Sequence, residues 1–188
     1  MVKKKGKLFI VSAPSGAGKS TLINEILKYF PDIVYSISHT TRSPRKGETN
    51  GKEYFFISRK EFEKGIADHL WAEWANVHGN YYGTGKIQLE THMTAGSDVL
   101  LDIDVQGAYQ IMKIYPDSIS IFIMPPSIEV LKERLLKRST ENEQDIKIRL
   151  KNAEKEILEK NNFKHLIIND KLPDSTQNIV SLIEKYRK

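Results

Sequence analysis

Close to the start of the chain, "VSAPSGAGKST" (11–21) places Gly16, Gly18, Lys19, Ser20 and Thr21 between a short apolar run and a stretch of helical periodicity. Residues of these types in this order can hold phosphate. The glycines permit a backbone whose N–H groups, together with the N-terminus of the following helix, point at phosphate oxygens. Lys19 can then reach the β- and γ-phosphates, and the Ser20 hydroxyl can ligate magnesium. Ala13 stands where the usual pattern has its first glycine, and a methyl group fits there if φ stays negative. The loop by itself does not separate a kinase from a GTPase or an ATPase.

Further along, "LLDID" (100–104) offers Asp102 and Asp104 at the end of an apolar run, where open α/β sheets bind ligands. A carboxylate there could serve the magnesium shell or a substrate. "DVQG" (104–107) imitates the D-x-x-G element of GTPases, but no guanine-reading N-K-x-D accompanies it, and "IIND" (167–170) is not one. A GTPase is therefore not expected. His39, His69, His78, His92 and His165 show no metal-ligand spacing, so structural or surface roles are expected of them.

These residues need elements to position them. "KLFIVS" reads as a buried strand, and Leu22, Ile23, Ile26, Leu27 and Phe30 follow at helical spacing until Pro31. "IVYSIS" (33–38), "DVLLDID" (98–104), "SISIFIM" (118–124) and "HLIIN" (165–169) are further short apolar runs, and helical stretches separate most of them. Such alternation predicts an α/β fold, a P-loop parallel-sheet core with helices on both faces. Between Ser38 and Ala95 the texture changes to aromatic residues interleaved with Gly, Asn and charge, which predicts an inserted mixed segment instead of another βα unit. "KRSTENE" (137–143) is a polar interruption between two helices, the second carrying an apolar stripe of Ile146, Leu150, Ala153 and Ile157.

The totals agree with a globular chain. It has 188 residues, 39% of them apolar, no cysteine and a net charge of +5, with an isoelectric point near 9.2. The size suits one core with insertions. Without cysteine there is no disulfide and no thiolate zinc site, which fits a cytoplasmic setting. The apolar run Leu8–Val11 is too short for a secretory signal and no stretch approaches a membrane span, so no membrane role is expected. The basic balance alone suits either nucleic acid or anionic metabolites.

The inserted segment is more specific. "SHTTRSPRKGETNGKEYFF" carries Arg42, Arg45 and Tyr54, and "WAEWANVHGNYYGT" carries Glu73, Tyr82 and Thr84. Together with "APSGAGKST", "LDIDVQG" and "IIND", in this order and spacing, they resemble the guanylate kinase family over nearly the whole chain. The resemblance implies phosphoryl transfer from ATP to GMP, giving ADP and GDP, with dGMP as a further acceptor and Mg2+ accompanying ATP. It implies core segments at 1–37, 96–136 and 157–188, a GMP-binding segment at 38–95 and a short helical lid at 137–156. The ATP-binding residues would be Ala13, Pro14, Ser15, Gly16, Ala17, Gly18, Lys19, Ser20, Thr21 and Asn169, with Ser20 on the metal. Arg42, Arg45, Tyr54 and Tyr82 match ligands of the GMP phosphate. Ser38, Glu73 and Thr84 match guanine readers, and Asp102 and Asp104 the paired acids near GMP and magnesium. Arg138 and Arg149 match lid arginines that join Lys19 and Arg42 in catalysis. Ser139 departs from the glycine that many members have after the lid arginine.

Elementary chemistry is compatible with this. Planar guanidinium forks bind phosphate monoesters bidentately, and tyrosine hydroxyls add donors without charge. Guanine presents two adjacent donors, N1–H and the exocyclic amine, which one carboxylate can accept. Read locally, Arg42 and Arg45 could equally be a solvated basic turn, and Glu73 a surface acid beside two core tryptophans. A scaffold module that binds phosphopeptides through the same residues would have lost its donor site, whereas Lys19, Ser20, Arg138 and Arg149 all remain. A nucleic-acid-dependent ATPase would need a basic and aromatic platform, and none is visible, so no nucleic-acid partner is expected. Homo-oligomerisation is left open.

Overall fold

The computed structural model describes residues 4–77, 79–137 and 143–188. The chain divides into two units, Met1–Ile10 with Asp32–Ser118 and Val11–Pro31 with Ile119–Lys188. Strand β1 (Leu8–Ser12) passes from the first into the second, where α1 (Lys19–Tyr29) follows. The first unit then contributes β2 (Val34–Ser36), β3 (His39–Thr40), β4 (Phe55–Phe56), α2 (Arg59–Ala67), β5 (Trp71–Val77), β6 (Asn80–Gly85), α3 (Lys86–Thr94), β7 (Val99–Asp102) and α4 (Val105–Ile114). The second resumes with β8 (Ile119–Met124), α5 (Ile128–Lys137), α6 (Glu143–Leu158), a short 3-10 turn (Glu159–Asn162), β9 (His165–Ile168) and α7 (Leu172–Arg187).

The fold is mixed α/β with parallel strands flanked by helices, as the alternating apolar runs predict. In the first unit the parallel strands run in the order β2-β7-β1, with Val34 opposite Val99 and Ser36 opposite Leu101. Val99, Leu100 and Leu101 are fully buried, which is why this strand reads as a continuous apolar run and not as an alternating one.

The same unit holds a second sheet, ordered β4-β3-β6-β5, in which β3 is parallel to β4 and antiparallel to β6, and β5 and β6 form a hairpin. This sheet lies within residues 38–95, whose composition differs from that of the apolar runs. Its core is aromatic. Phe62, fully buried on α2, is stacked between Trp71 at 4.5 Å and Tyr81 at 5.2 Å. His39 extends the pile, 4.8 Å from Trp71 and 4.8 Å from Phe55. The Trp71 indole N–H donates to the Phe62 carbonyl at 3.2 Å, and a reciprocal Ser58–Glu61 capping box starts α2. Trp71, Tyr81 and Phe55 are thus packing residues here.

In the second unit the order is β1-β8-β9, with Ile121 opposite His165 and Met124 opposite Ile168. α1 buries Leu22, Ile23 and Ile26. Leu131 and Leu135 of α5 cluster with Ile146 and Ala153 of α6, and Leu150 packs against them, so three of the four residues of the predicted stripe join these two helices. Among the described residues no helix is long and apolar enough to cross a membrane.

Candidate functional site

The glycine loop lies wholly within the second unit, between the end of β1 and the start of α1. A turn closes it, with the Ala17 N–H donating to the Pro14 carbonyl at 3.1 Å. Gly16 and Gly18 both have φ of +92°, a region that side chains rarely occupy. Ala13 is not among the positive-φ residues, so its methyl group fits where the usual pattern has glycine. Gly18 starts α1 without any side-chain cap, and the positive N-terminal end of a helix suits an anionic ligand. Lys19 belongs to the first turn, and Ser20 and Thr21 are exposed beside it.

Three side chains brace this loop from elsewhere in the unit. Asn169, just after β9 and 6% exposed, donates its amide to the Ala17 carbonyl at 2.8 Å. Arg149 of α6 donates to the Ser15 hydroxyl at 2.8 Å. Arg134 of α5 donates to the Asn169 carbonyl at 2.9 Å and to the Ala17 carbonyl at 3.4 Å. A cleft of about 290 Å³ opens among Gly16, Gly18, Arg134, Lys137, Asn169 and Leu172. Arg138 and Ser139 lie outside the described residues.

The other predicted site residues are gathered in the first unit. Arg42 makes a two-pronged ion pair with Glu48, at 2.8 and 2.9 Å, and its guanidinium sits over the Tyr54 and Phe56 rings at 5.4 and 5.7 Å. Tyr82 meets Tyr54 edge-on with centroids 5.8 Å apart. The Glu48 carboxylate holds Arg42 further toward its charged form, and Arg42 holds Glu48 below the usual carboxylate range. Arg45 is exposed, with its backbone N–H on Glu48 at 2.7 Å.

Glu73, from β5, is 3% exposed, and its Oε1 accepts from the Thr84 hydroxyl at 2.6 Å. Burial pushes its carboxyl up to about 7; the Thr84 hydrogen bond opposes this and the charge of Asp104 adds to it. The surface-acid reading is thereby excluded, and it is the neighbouring Trp74 that is exposed, at 37%. Strand alternation explains the exchange, because Glu73 and Trp74 must face opposite sides. Ser38 is buried in the same unit. Asp102 ends β7 and accepts a long hydrogen bond from the Tyr35 hydroxyl at 3.5 Å. Asp104 is the N-cap of α4, its Oδ1 accepting from the Gln106 N–H at 2.7 Å and the Gly107 N–H at 3.2 Å.

Sequence reasoning missed Arg134, Glu48 and Tyr35. Glu48 carried a faint signal, three residues after Arg45 in "RSPRKGE". Arg134 carried none, being one basic residue among several in "LKERLLKR". Among the described residues no group of three His, Asp or Glu side chains could hold a metal ion, and His78 lies outside them.

The family model described as guanylate kinase matches residues 5–186. A guanylate kinase of Thermotoga maritima is 44% identical over 183 residues, 97% of this chain and 88% of that protein. One of Geobacter sulfurreducens is 46% identical over 182 residues, covering 97% and 90%. The crystal structure of guanylate kinase from Anaplasma phagocytophilum superposes with a TM-score of 0.81 at 34% identity, over 98% of this chain and 88% of that one. This chain belongs to the guanylate kinase family, phosphotransferases whose reaction is the ATP-dependent phosphorylation of GMP.

Proposed function

We propose that this chain performs the family's reaction, GMP and ATP giving GDP and ADP, with the donor nucleotide held by the second unit and the acceptor by the first. What supports the acceptor assignment best is one observation: Glu73 is an almost completely buried carboxylate, held by Thr84, in the unit that also presents Arg42, Arg45, Tyr54 and Tyr82. A buried carboxylate costs stability unless partners compensate it, and guanine N1–H and the 2-amino group are such partners. The arginines and tyrosines would take the GMP phosphate, with Ser38 and Thr84 completing the base contacts and Asp102 and Asp104 lying toward GMP and the metal. In this reading residues 38–95 form the GMP-binding segment, 137–156 the lid, and 1–37, 96–136 and 157–188 the core.

On the donor side the loop 13–21 would wrap the ATP phosphates. Lys19 would stabilise charge on the transferring group, with Arg149 and Arg138 as its lid partners. The cleft beside Asn169 and Arg134 would receive adenine. An exposed hydroxyl at the helix start, such as that of Ser20, suits a hard cation, and the metal would enter with the nucleotide. Ser20 is thus the residue that would hold Mg2+, which when bound offsets negative charge on the phosphates. The transition state is loose and needs positioning and charge stabilisation more than a strong base, so no histidine is assigned a catalytic part. Excluding water keeps GMP the acceptor. The reaction would take place in the cytoplasm, with ATP, GMP and dGMP as the small-molecule partners.

A coupled assay of ADP formation with GMP, AMP, CMP and UMP tests the reading. Turnover with GMP far above the other three is expected; equal turnover with all four, or with none, would overturn it.

A further inference from the structure

Glu73 lies on β5, which pairs with β6 along one edge. Its register there is irregular between Trp71 and Glu73, so strand pairing alone fixes the position of Glu73 loosely. The other edge is met by a side chain. Gln110 of α4 accepts from the Trp74 N–H at 3.2 Å and donates its own amide to the Trp74 carbonyl at 2.7 Å. Both groups of one strand residue point to the same edge, so the Gln110 amide pairs with Trp74 as a neighbouring strand would. One helical turn earlier, Gly107 faces the carboxylate itself. A methyl group built on Gly107 would overlap Glu73 Oε2 and stand 2.9 Å from Cδ. Oε1 is held on the other side by Thr84. Asp104, capping α4 through the N–H groups of Gln106 and Gly107, fixes the start of the helix that provides both contacts.

We propose that α4 is the template for base selection: Gln110 is a positioning residue that clamps β5 at Trp74, and Gly107 leaves the space that lets the Glu73 carboxylate stand where guanine can reach it. This rests on the reading of Glu73 as the guanine contact. The reach of a carboxylate toward N1–H and the 2-amino group is sensitive to displacements well under an ångström, and an unclamped edge strand with an irregular register could shift that far. The selection of GMP therefore depends on residues that touch no substrate.

Gln110→Met keeps the side-chain volume and removes both hydrogen bonds to Trp74, along with a 3.4 Å one to the Gln106 carbonyl, while Gly107→Ala pushes on the carboxylate directly. Each should lower the GMP-to-AMP ratio of kcat/KM about fivefold or more, through the GMP KM and not through kcat, with the ATP KM within about twofold of the parent. A general loss of structure would instead move both nucleotides' constants together. Glu73→Gln, measured in parallel, separates the two levels of the argument. If it collapses the ratio and Gln110→Met and Gly107→Ala do not, the template idea fails while the Glu73 reading stands. If none of the three changes the ratio, the Glu73 reading fails and takes the template with it. Should Gly107→Ala not fold, as judged by its melting curve, Gln110→Met decides alone. In the double variant Gln110→Met with Glu73→Gln, the effect of Gln110→Met should nearly vanish; full additivity would show that Gln110 acts by another route.

Discussion

Arg42 and Glu48 are joined by two hydrogen bonds, Nη1 to Oε2 at 2.9 Å and Nη2 to Oε1 at 2.8 Å, and the Arg45 backbone N–H donates to the same carboxylate at 2.7 Å. One acid thus sets the loop from which both proposed phosphate ligands project. An arginine held before the ligand arrives loses less freedom on binding, so in the proposed role the pair would favour phosphate binding even though an acid nearby lowers the positive charge.

The first expectation concerns this loop. Arg42→Ala and Arg45→Ala should each raise the GMP KM, and their effects should be non-additive because the two are proposed to share one phosphate. Glu48→Gln should raise it less, by loosening Arg42. Calorimetry of ATP binding is the control. A fall in ATP affinity with GMP affinity unchanged would move these residues to the donor side.

Lys19→Ala should reduce turnover on the order of 10²-fold or more, as other charge-stabilising groups do, with much less effect on GMP binding. Excess EDTA should abolish turnover of the parent protein, and restoring Mg2+ should recover it. Undiminished turnover in EDTA would contradict the part given to Ser20.

The third expectation is a pH dependence. Glu73 is pushed up to about 7 by burial, with the Asp104 charge adding to it, and only its ionised form can accept both guanine donors. As pH falls below about 7 the GMP-to-AMP ratio of kcat/KM should therefore decline, approaching about tenfold per pH unit. The phosphate's own titration near pH 6 is common to both nucleotides and cancels in the ratio. The stability of the free protein should show the opposite trend. Between the unfolded value of 4.5 and about 7 the native state holds a proton that the unfolded chain has released, so this group makes stability fall as pH rises through that window. Glu73→Gln should lack that component, and its melting temperature should gain on the parent's as pH rises from 5 to 8. A pH-independent nucleotide ratio would show that the ionised carboxylate is not what GMP meets.

The loop and the strands were legible because their signals are local. "GAGKS" constrains its own backbone, and runs such as "ISIFIM" declare a strand buried on both faces. Glu73 could be named but not weighed, since its burial depends on α4 and on the alternation of β5, and its neighbour Trp74 turned out to be the exposed partner. Asn169 is expected among the ATP-binding residues, and the structure adds that its amide holds Ala17. Arg134, Gly107 and Gln110 act across 117, 34 and 36 positions of sequence. Gly107 stands out only as the end of "DVQG" and nothing local marks Arg134 or Gln110, because what all three touch is fixed by packing and not by spacing.

The last expectation decides which base the protein accepts. AMP presents a bare N1 acceptor where GMP presents N1–H, and it lacks the 2-amino donor. Against a fixed, ionised Glu73 one hydrogen bond becomes a meeting of two acceptors, and the second bond is absent. A site built on such hydrogen bonds can reject the wrong partner by roughly 10⁴-fold, and GMP should be preferred to AMP on that scale. Glu73→Gln replaces one acceptor oxygen by a donor amide, which should raise the GMP KM and narrow the preference. The arginines on the phosphate are untouched, so the variant should keep weak affinity for both monophosphates, and the buried position should accept the neutral amide without loss of fold. A GMP-to-AMP ratio of kcat/KM within about threefold of the parent, well under the ~1.4 kcal/mol of one decade, would remove Glu73 as the guanine contact. The base would then have to be read by Ser38, Thr84 or one of the paired aspartates.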